Sequence, residues 1–165
     1  MNRLLDEFSD FSKSERLENS SFSLRALLEQ ISFSFAATIV DTQVEYTSKI
    51  DPSINQITGD RTKLQEVFLN LLKNAFEASA PDKTIYLEAS LDEDKVIIIV
   101  QDTGCGIIDS KLRSIFEPFV TYKPQGTGLG LSICNQIVKA HGGIITADST
   151  VDVGSTFTVI LPVNM

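Results

Sequence analysis

Apolar positions recur along this chain with two different periods, and the switches between them mark out its elements. Leu64, Val67, Phe68, Leu71, Leu72, Ala75 and Ala78 share one face of a helix predicted over 60–79, the most regular helical pattern in the chain. A second helix is expected in FSLRALLEQISFSFAA. Ser23 is its N-cap, with Phe22 before the cap and Leu27 inside the helix as a hydrophobic staple. VEYTSKID (44–51) alternates and ends at Asp-Pro, which predicts a strand. KTIYLEASL (83–91) and DKVIIIVQD (94–102) predict an antiparallel hairpin, the second strand reading as fully buried. A short helix follows in DSKLRSIF, and a longer one in GLGLSICNQIVKAHGG, which stops at Gly142 and Gly143. GIITADS and STFTVILPV form the last strand pair. Near the start, Leu4, Phe8 and Phe11 are spaced as on the final turns of an amphipathic helix, and SERLENSS reads as a linker. Most neighbouring strands are joined by short turns, so the sheet is expected to be largely antiparallel. The predicted class is α+β, a two-layer sandwich with helices on one face.

Composition narrows the function. The chain has 165 residues, enough for one domain with a short appendage, and a net charge of −8. An acidic balance argues against a broad nucleic-acid surface. No apolar run approaches a membrane span, and MNRLLDEFSD is too acidic for a signal peptide, so a soluble, cytoplasmic chain without membrane contact is expected. Cys105 and Cys134 form no CxxC and read as reduced thiols. With His141 the single histidine, a zinc site or a Ser-His-Asp triad has almost no material. His141 reads as a capping residue at a helix C-terminus.

Four stretches carry candidate chemistry. Asn70 and Asn74 sit one turn apart at the rim of the apolar stripe. They are either rim asparagines bonded to a loop or amide oxygens offered to Mg²⁺, which takes hard oxygens and few of them from protein. In QDTGCGI, Asp102 ends a buried strand, where an unpaired carboxylate is costly. It is either part of a β-turn or an acceptor for a purine amine, with Gly104 and Gly106 letting a flat ring approach. FEPFVTYK reads as a hydrophobic anchor for the loop after it, and Lys123 could reach a phosphate. KPQGTGLGLSIC crowds Gly126, Gly128 and Gly130 before a helix, a phosphate cradle of free amides and helix dipole. It lacks the lysine of a P-loop and the preceding strand of a dinucleotide fingerprint.

The order of these motifs is more specific than any one of them. NLLKNAFEA, DTGCGI, FEPFVTYK, GTGLGLSI and GSTFTV resemble the N, G1, F, G2 and terminal glycine boxes of the sensor histidine kinase ATP-binding domain. This is the GHKL superfamily, shared with gyrase-type topoisomerases, heat-shock chaperone ATPases and mismatch-repair ATPases. The resemblance covers about residues 21–163 and implies the Bergerat ATP-binding fold over 21–165. Residues 1–20 are then the end of a dimerisation helix plus linker. It implies ATP and Mg²⁺ as ligands. Asn74 is the main magnesium ligand with Asn70 beside it, and Asp102 accepts from the adenine amine. Gly104, Gly106 and Ile107 shape the adenine pocket, and Thr156 helps hold the adenine edge. Phe119, Gly126, Thr127, Gly128, Leu129, Gly130 and Leu131 belong to the lid and phosphate loop.

The hydrolysing members carry a glutamate base one turn before the magnesium asparagine. Here that position is Asn70, which cannot take a proton, so the resemblance favours transfer to histidine over hydrolysis. Asn70 and Lys123 are the residues expected to act in transfer. Glu66, a turn further back, reads as solvated or helix-orienting. Many sensor kinases place a lysine in the turn after Asn74. Here Glu77 stands there, leaving Lys73 or Lys123 to supply the charge. The short lid resembles nitrogen-regulation and sporulation-type kinases. The implied partners are a helical hairpin bearing the phosphoacceptor histidine and a response-regulator receiver domain. Only the end of that hairpin is matched here, so this chain is expected to bind ATP without phosphorylating itself, as the cytoplasmic part of a kinase that can be membrane-anchored. The alternatives are a GHKL-type ATPase or serine kinase regulator, and a nucleotide-binding interaction module without catalysis.

Overall fold

The computed structural model describes residues 17–122 and 126–163. The expected helix over 3–13 and Lys123 lie outside the described residues. The elements run β1 (Ser20–Ser23), α1 (Leu24–Ile39), β2 (Glu45–Ile50), β3 (Gln56–Gly59), α2 (Arg61–Ala78), β4 (Thr84–Asp92), β5 (Lys95–Asp102), α3 (Asp109–Leu112), α4 (Gly130–Ala140), β6 (Ile144–Thr150) and β7 (Gly154–Pro162).

One sheet has the strand order β2-β4-β5-β7-β6. Its neighbours are antiparallel except β2 and β4, which are parallel because their connection carries β3 and all of α2. Burial alternates along β5 and β7. Val96, Ile98, Val100, Phe157, Val159 and Leu161 are buried, while Ile97, Ile99, Thr156 and Thr158 are half-buried. Among the described residues helices therefore cover one face, the two-layer sandwich expected. The correction is to β5: its isoleucine run suggests burial on both faces, but Ile97 and Ile99 are only half-buried, and among the described residues the helical layer lies on the other side.

Ser23 caps α1, its hydroxyl accepting from the Ala26 amide at 3.1 Å. Asp60 caps α2 through the Lys63 amide at 3.1 Å. The apolar stripe of α2 is buried, with Phe68 among the largest fully enclosed side chains. Two features depart from the sequence reading. β1 and β3 pair as a separate antiparallel ribbon, each too short and polar to announce a period. The helix expected across DSKLRSIF closes after Leu112, and the chain continues in turns (Ser114 N to Lys111 O, Glu117 N to Ser114 O) that carry Ile115 into the core.

Candidate nucleotide site

Helices α2 and α4 run antiparallel and build the centre of the site. Asn70 Oδ1 lies 3.7 Å from where a Cβ on Gly130 would sit, so the asparagine faces the first turn of α4. That turn has Leu129 at its N-cap and no side-chain capping bond. The orphan amides of a helix start, with the positive end of its dipole, thus lie beside a neutral amide oxygen. Asn74 is half-buried one turn further along α2. Behind Asn70, the buried Cys134 thiol approaches Val67 O at 3.8 Å. Burial pushes this thiol up to about 12, the Glu66 charge pushes the same way, and a hydrogen bond with Asn70 opposes both. It is an inert thiol that packs Asn70. Cys105 is free and exposed.

The second part of the site is the end of β5. Asp102 is 3% exposed, and its Oδ1 accepts from the Gly104 amide at 2.9 Å. Burial raises its carboxyl above the ordinary carboxylate range, against the pull of the Gly104 and Ser155 amides. The register pairs Asp102 with Ser155, and Gln101 with Thr156. By strand alternation Ser155 shares the helix-facing side with Asp102, while Thr156 lies on the open face. Ser155 is thus the direct cross-strand neighbour of Asp102, and Thr156 borders the same end of the sheet from the other face. The inward set Phe157, Val159 and Leu161 carries this signal in the sequence, two residues at a time.

The loop between β5 and α3 is braced from both sides. Cys105 N donates to Ala78 O at 3.1 Å, and Asp152 N donates to Cys105 O at 2.9 Å. A Cβ on Gly104 would strike Ala78 O, and one on Gly106 would strike Thr150 O, so protein backbone already fills the space these glycines leave on that side. Ser149 holds the hub. Its Oγ accepts from the Ile107 amide at 2.7 Å, donates to Gly154 O at 2.9 Å, and lies 2.9 Å from Ser155 Oγ. No sequence motif singled this serine out. Ser149→Ala strands the Ile107 amide, so it is expected to cost about 1–3 kcal/mol of stability, with most of the loss restored in Ser149→Thr; chemical denaturation measures both.

The lid is anchored as FEPFVTYK suggests. Phe116 meets Phe157 edge-to-face at 6.4 Å between centroids. Tyr122 shares a hydroxyl contact of 2.9 Å with Ser114 and lies under Lys111 Nζ at 4.3 Å. Phe119 is exposed with φ 65°, a costly conformation for a bulky residue, fixed by its amide donating to Gly128 O at 3.0 Å. Gly128 has φ 74°, and an added Cβ would sit 2.5 Å from the Phe119 carbonyl carbon, so this glycine is demanded by the lid's own backbone. Gly126 and Thr127 are half-buried on the same loop. Leu129 is buried and Leu131 packs against the core, so both would meet a ligand through backbone only. Lys73 is exposed and pairs with Glu77 at 3.8 Å along the helix surface.

An uncapped helix start facing an asparagine, with a buried carboxylate at the end of a central strand, defines a nucleotide-binding sandwich. Residues 59–165 match the histidine kinase-, DNA gyrase B- and HSP90-like ATPase family, and the chain belongs to it. It is 34% identical over 165 residues to the signal transduction histidine-protein kinase AtoS of Escherichia coli K12, covering 99% of this chain and 27% of AtoS. Sporulation kinase B of Bacillus subtilis is 30% identical over 163 residues, covering 98% of this chain and 38% of that protein. This chain therefore spans well under half the length of these curated relatives.

Among solved structures, the catalytic domain of histidine kinase ThkA superposes with a TM-score of 0.80 at 32% identity, covering 89% of this chain and 97% of that domain. Full-length ShkA in complex with AMPPNP gives 0.84 at 25% identity, covering 96% of this chain and 35% of ShkA. ThkA in complex with the response regulator TrrA gives 0.81 at 28% identity, covering 97% of this chain and 46% of that one. Among the described residues, no helix is long and apolar enough to cross a membrane.

Proposed function

We propose that this chain is the ATP-binding catalytic domain of a two-component sensor histidine kinase, acting in the cytoplasm and donating the γ-phosphoryl of ATP to a histidine on a helical hairpin. The observation that carries this reading is the Asn70 amide set against the uncapped first turn of α4. The helix start offers amides to phosphate oxygens. Asn70 and Asn74 offer one or two neutral oxygens, the donor set that suits Mg²⁺ shared with phosphates. Magnesium bound there would neutralise charge on the phosphates during transfer. Asp102 accepts the adenine amine, with Ser155 beside it. Residues 1–20 belong to the end of the hairpin and its linker, and 21–165 to the catalytic domain. Lys123 or Lys73 would supply positive charge at the phosphates. A receiver domain is the downstream partner.

Asn70 separates transfer from hydrolysis. A water nucleophile needs a base, and an amide cannot serve; neutral imidazole needs none at this position. The test supplies the purified phosphoacceptor hairpin of a kinase of this family, with ATP labelled in the γ-phosphate. The expected product is acid-labile, base-stable label on the hairpin. Released phosphate or phosphoserine instead would point to the ATPase or serine kinase reading. Nucleotide binding without any transfer would leave an interaction module.

A further inference from the structure

His141 does more than end a helix. The antiparallel helices α2 and α4 touch at three levels: Asn70 at Gly130, Val67 O at Cys134 Sγ, and Asp60 at His141. The His141 ring is 1% exposed. Its Nε2 lies 2.9 Å from the Asp60 amide nitrogen, which can only donate, so Nε2 carries no proton. Its Nδ1 lies 2.7 Å from Ile137 O, which can only accept, so Nδ1 carries the proton. One neutral tautomer thus joins the N-cap of α2 to the C-terminal turn of α4.

We propose that His141 is a positioning residue for the nucleotide: it sets the axial register of α4 against α2 and so seats the uncapped first turn of α4 opposite the Asn70 and Asn74 amides. This rests on the ATP reading above. Between the ends, α2 and α4 contribute Leu64, Val67, Leu71, Ile133 and Ile137 to a shared buried apolar core. Apolar burial resists separation but is non-directional, so it resists sliding weakly. A hydrogen bond is directional, and this one ties backbone to ring at the far end of a helix only 11 residues long. A slip of α4 at His141 is carried along the helix to Gly130.

Protonation removes the tie, because Nε2–H would face the Asp60 N–H. Two charged groups of α2 act on the ring: the Asp60 carboxylate favours the imidazolium and Lys63 disfavours it. The segment before β1 reaches this cluster through the Glu18 amide, 2.9 Å from Asp60 Oδ2. Burial is the largest influence on His141 and holds it below its ordinary value of 6.5. Burial also opposes the Asp60 charge, but the Glu18 and Lys63 amides, with the Lys63 charge, keep that carboxyl below its ordinary value. Because the folded value of His141 is depressed, the neutral tie persists through pH 6.5 and is lost only as pH falls through that lower folded value; stability relative to the unfolded chain begins to fall below 6.5.

The test compares wild type, His141→Leu and His141→Gln by titration with a non-hydrolysable fluorescent ATP analogue and Mg²⁺ from about pH 8 down to about pH 5. The glutamine oxygen can accept from the Asp60 amide and does not titrate. At pH near 8, His141→Leu is expected to bind at least about fivefold more weakly, and His141→Gln close to wild type. On acidification wild type weakens relative to His141→Gln. The analogue's phosphates and Asp102 titrate in all three proteins, so that difference isolates the ring. Parallel pH profiles for wild type and His141→Gln, followed down to the pH at which NMR shows the His141 ring protonated, overturn the proposal, and they decide it alone if His141→Leu does not fold. Equal affinities with unequal melting temperatures also overturn it, leaving a stability role. A wild type that fails to bind at any pH overturns the ATP reading and this inference together, an outcome distinct from the other two.

Discussion

Asp102→Asn is expected to lower the affinity for ATP about a hundredfold while the fold persists. The carboxylate is almost wholly enclosed, yet it ends a strand beside a loop that is free of side chains at Gly104 and Gly106. One of its oxygens is committed to the Gly104 amide, which holds the group in a single orientation. A carboxylate presents only acceptors, and an adenine amine presents donors. The asparagine amide keeps its oxygen on Gly104 and turns its NH₂ toward the ligand, donor against donor. Removing a buried charge that burial already disfavours leaves stability within about 1 kcal/mol of wild type. Calorimetric titration gives the affinity and thermal melting the stability. Unchanged affinity in a folded Asp102→Asn protein would remove Asp102 from adenine recognition.

Gly154→Ala is expected to destabilise the domain by about 2–4 kcal/mol, adding backbone strain to overpacking. Gly154 has φ 137°, a region that side-chain-bearing residues rarely enter. Its added Cβ would strike the Asp102 carbonyl oxygen and lie 2.9 Å from Thr103 Cα. The strain falls where β7 begins pairing with the end of β5, so relief must move Asp102 or open the centre of the sheet. Denaturant unfolding should show a lower midpoint at an unchanged slope, and ATP affinity should fall with it. Gly130 makes the contrast. An alanine there meets Asn70 Oδ1 at 3.7 Å, ordinary contact, so that variant folds. A Gly154→Ala protein of wild-type stability would mean that this turn can shift without cost to its neighbours.

Most of the architecture is legible in the pattern, because long amphipathic segments such as α2 and the alternating β7 bury one face and nothing overrides them. β1 and β3 are not legible: four residues each, held by backbone pairing, leave no period to detect. The site divides the same way. Asn70, Asn74 and Asp102 stand out as candidates because helix and strand periods set them at the edges of buried faces. Ser155, not Thr156, shares the helix-facing side with Asp102, and one residue in a strand is the whole difference between two faces. The glycines are visible but their reasons are not. Gly128 is required by the backbone at Phe119, Gly104 and Gly106 by the backbone at Ala78 and Thr150, whereas Gly130 opens toward Asn70. Ser149 and the second role of His141 depend on bonds between elements far apart in the chain, which no local pattern encodes.

The most direct measurement is a calorimetric titration of the wild-type chain with a non-hydrolysable ATP analogue, with and without Mg²⁺, repeated on Asn74→Ala. Saturable binding that strengthens with Mg²⁺ in the wild type, and loses that dependence in Asn74→Ala, is the predicted result. No binding at millimolar analogue, or binding indifferent to both Mg²⁺ and Asn74, would contradict the assignment of the α2–α4 cleft as the phosphate site.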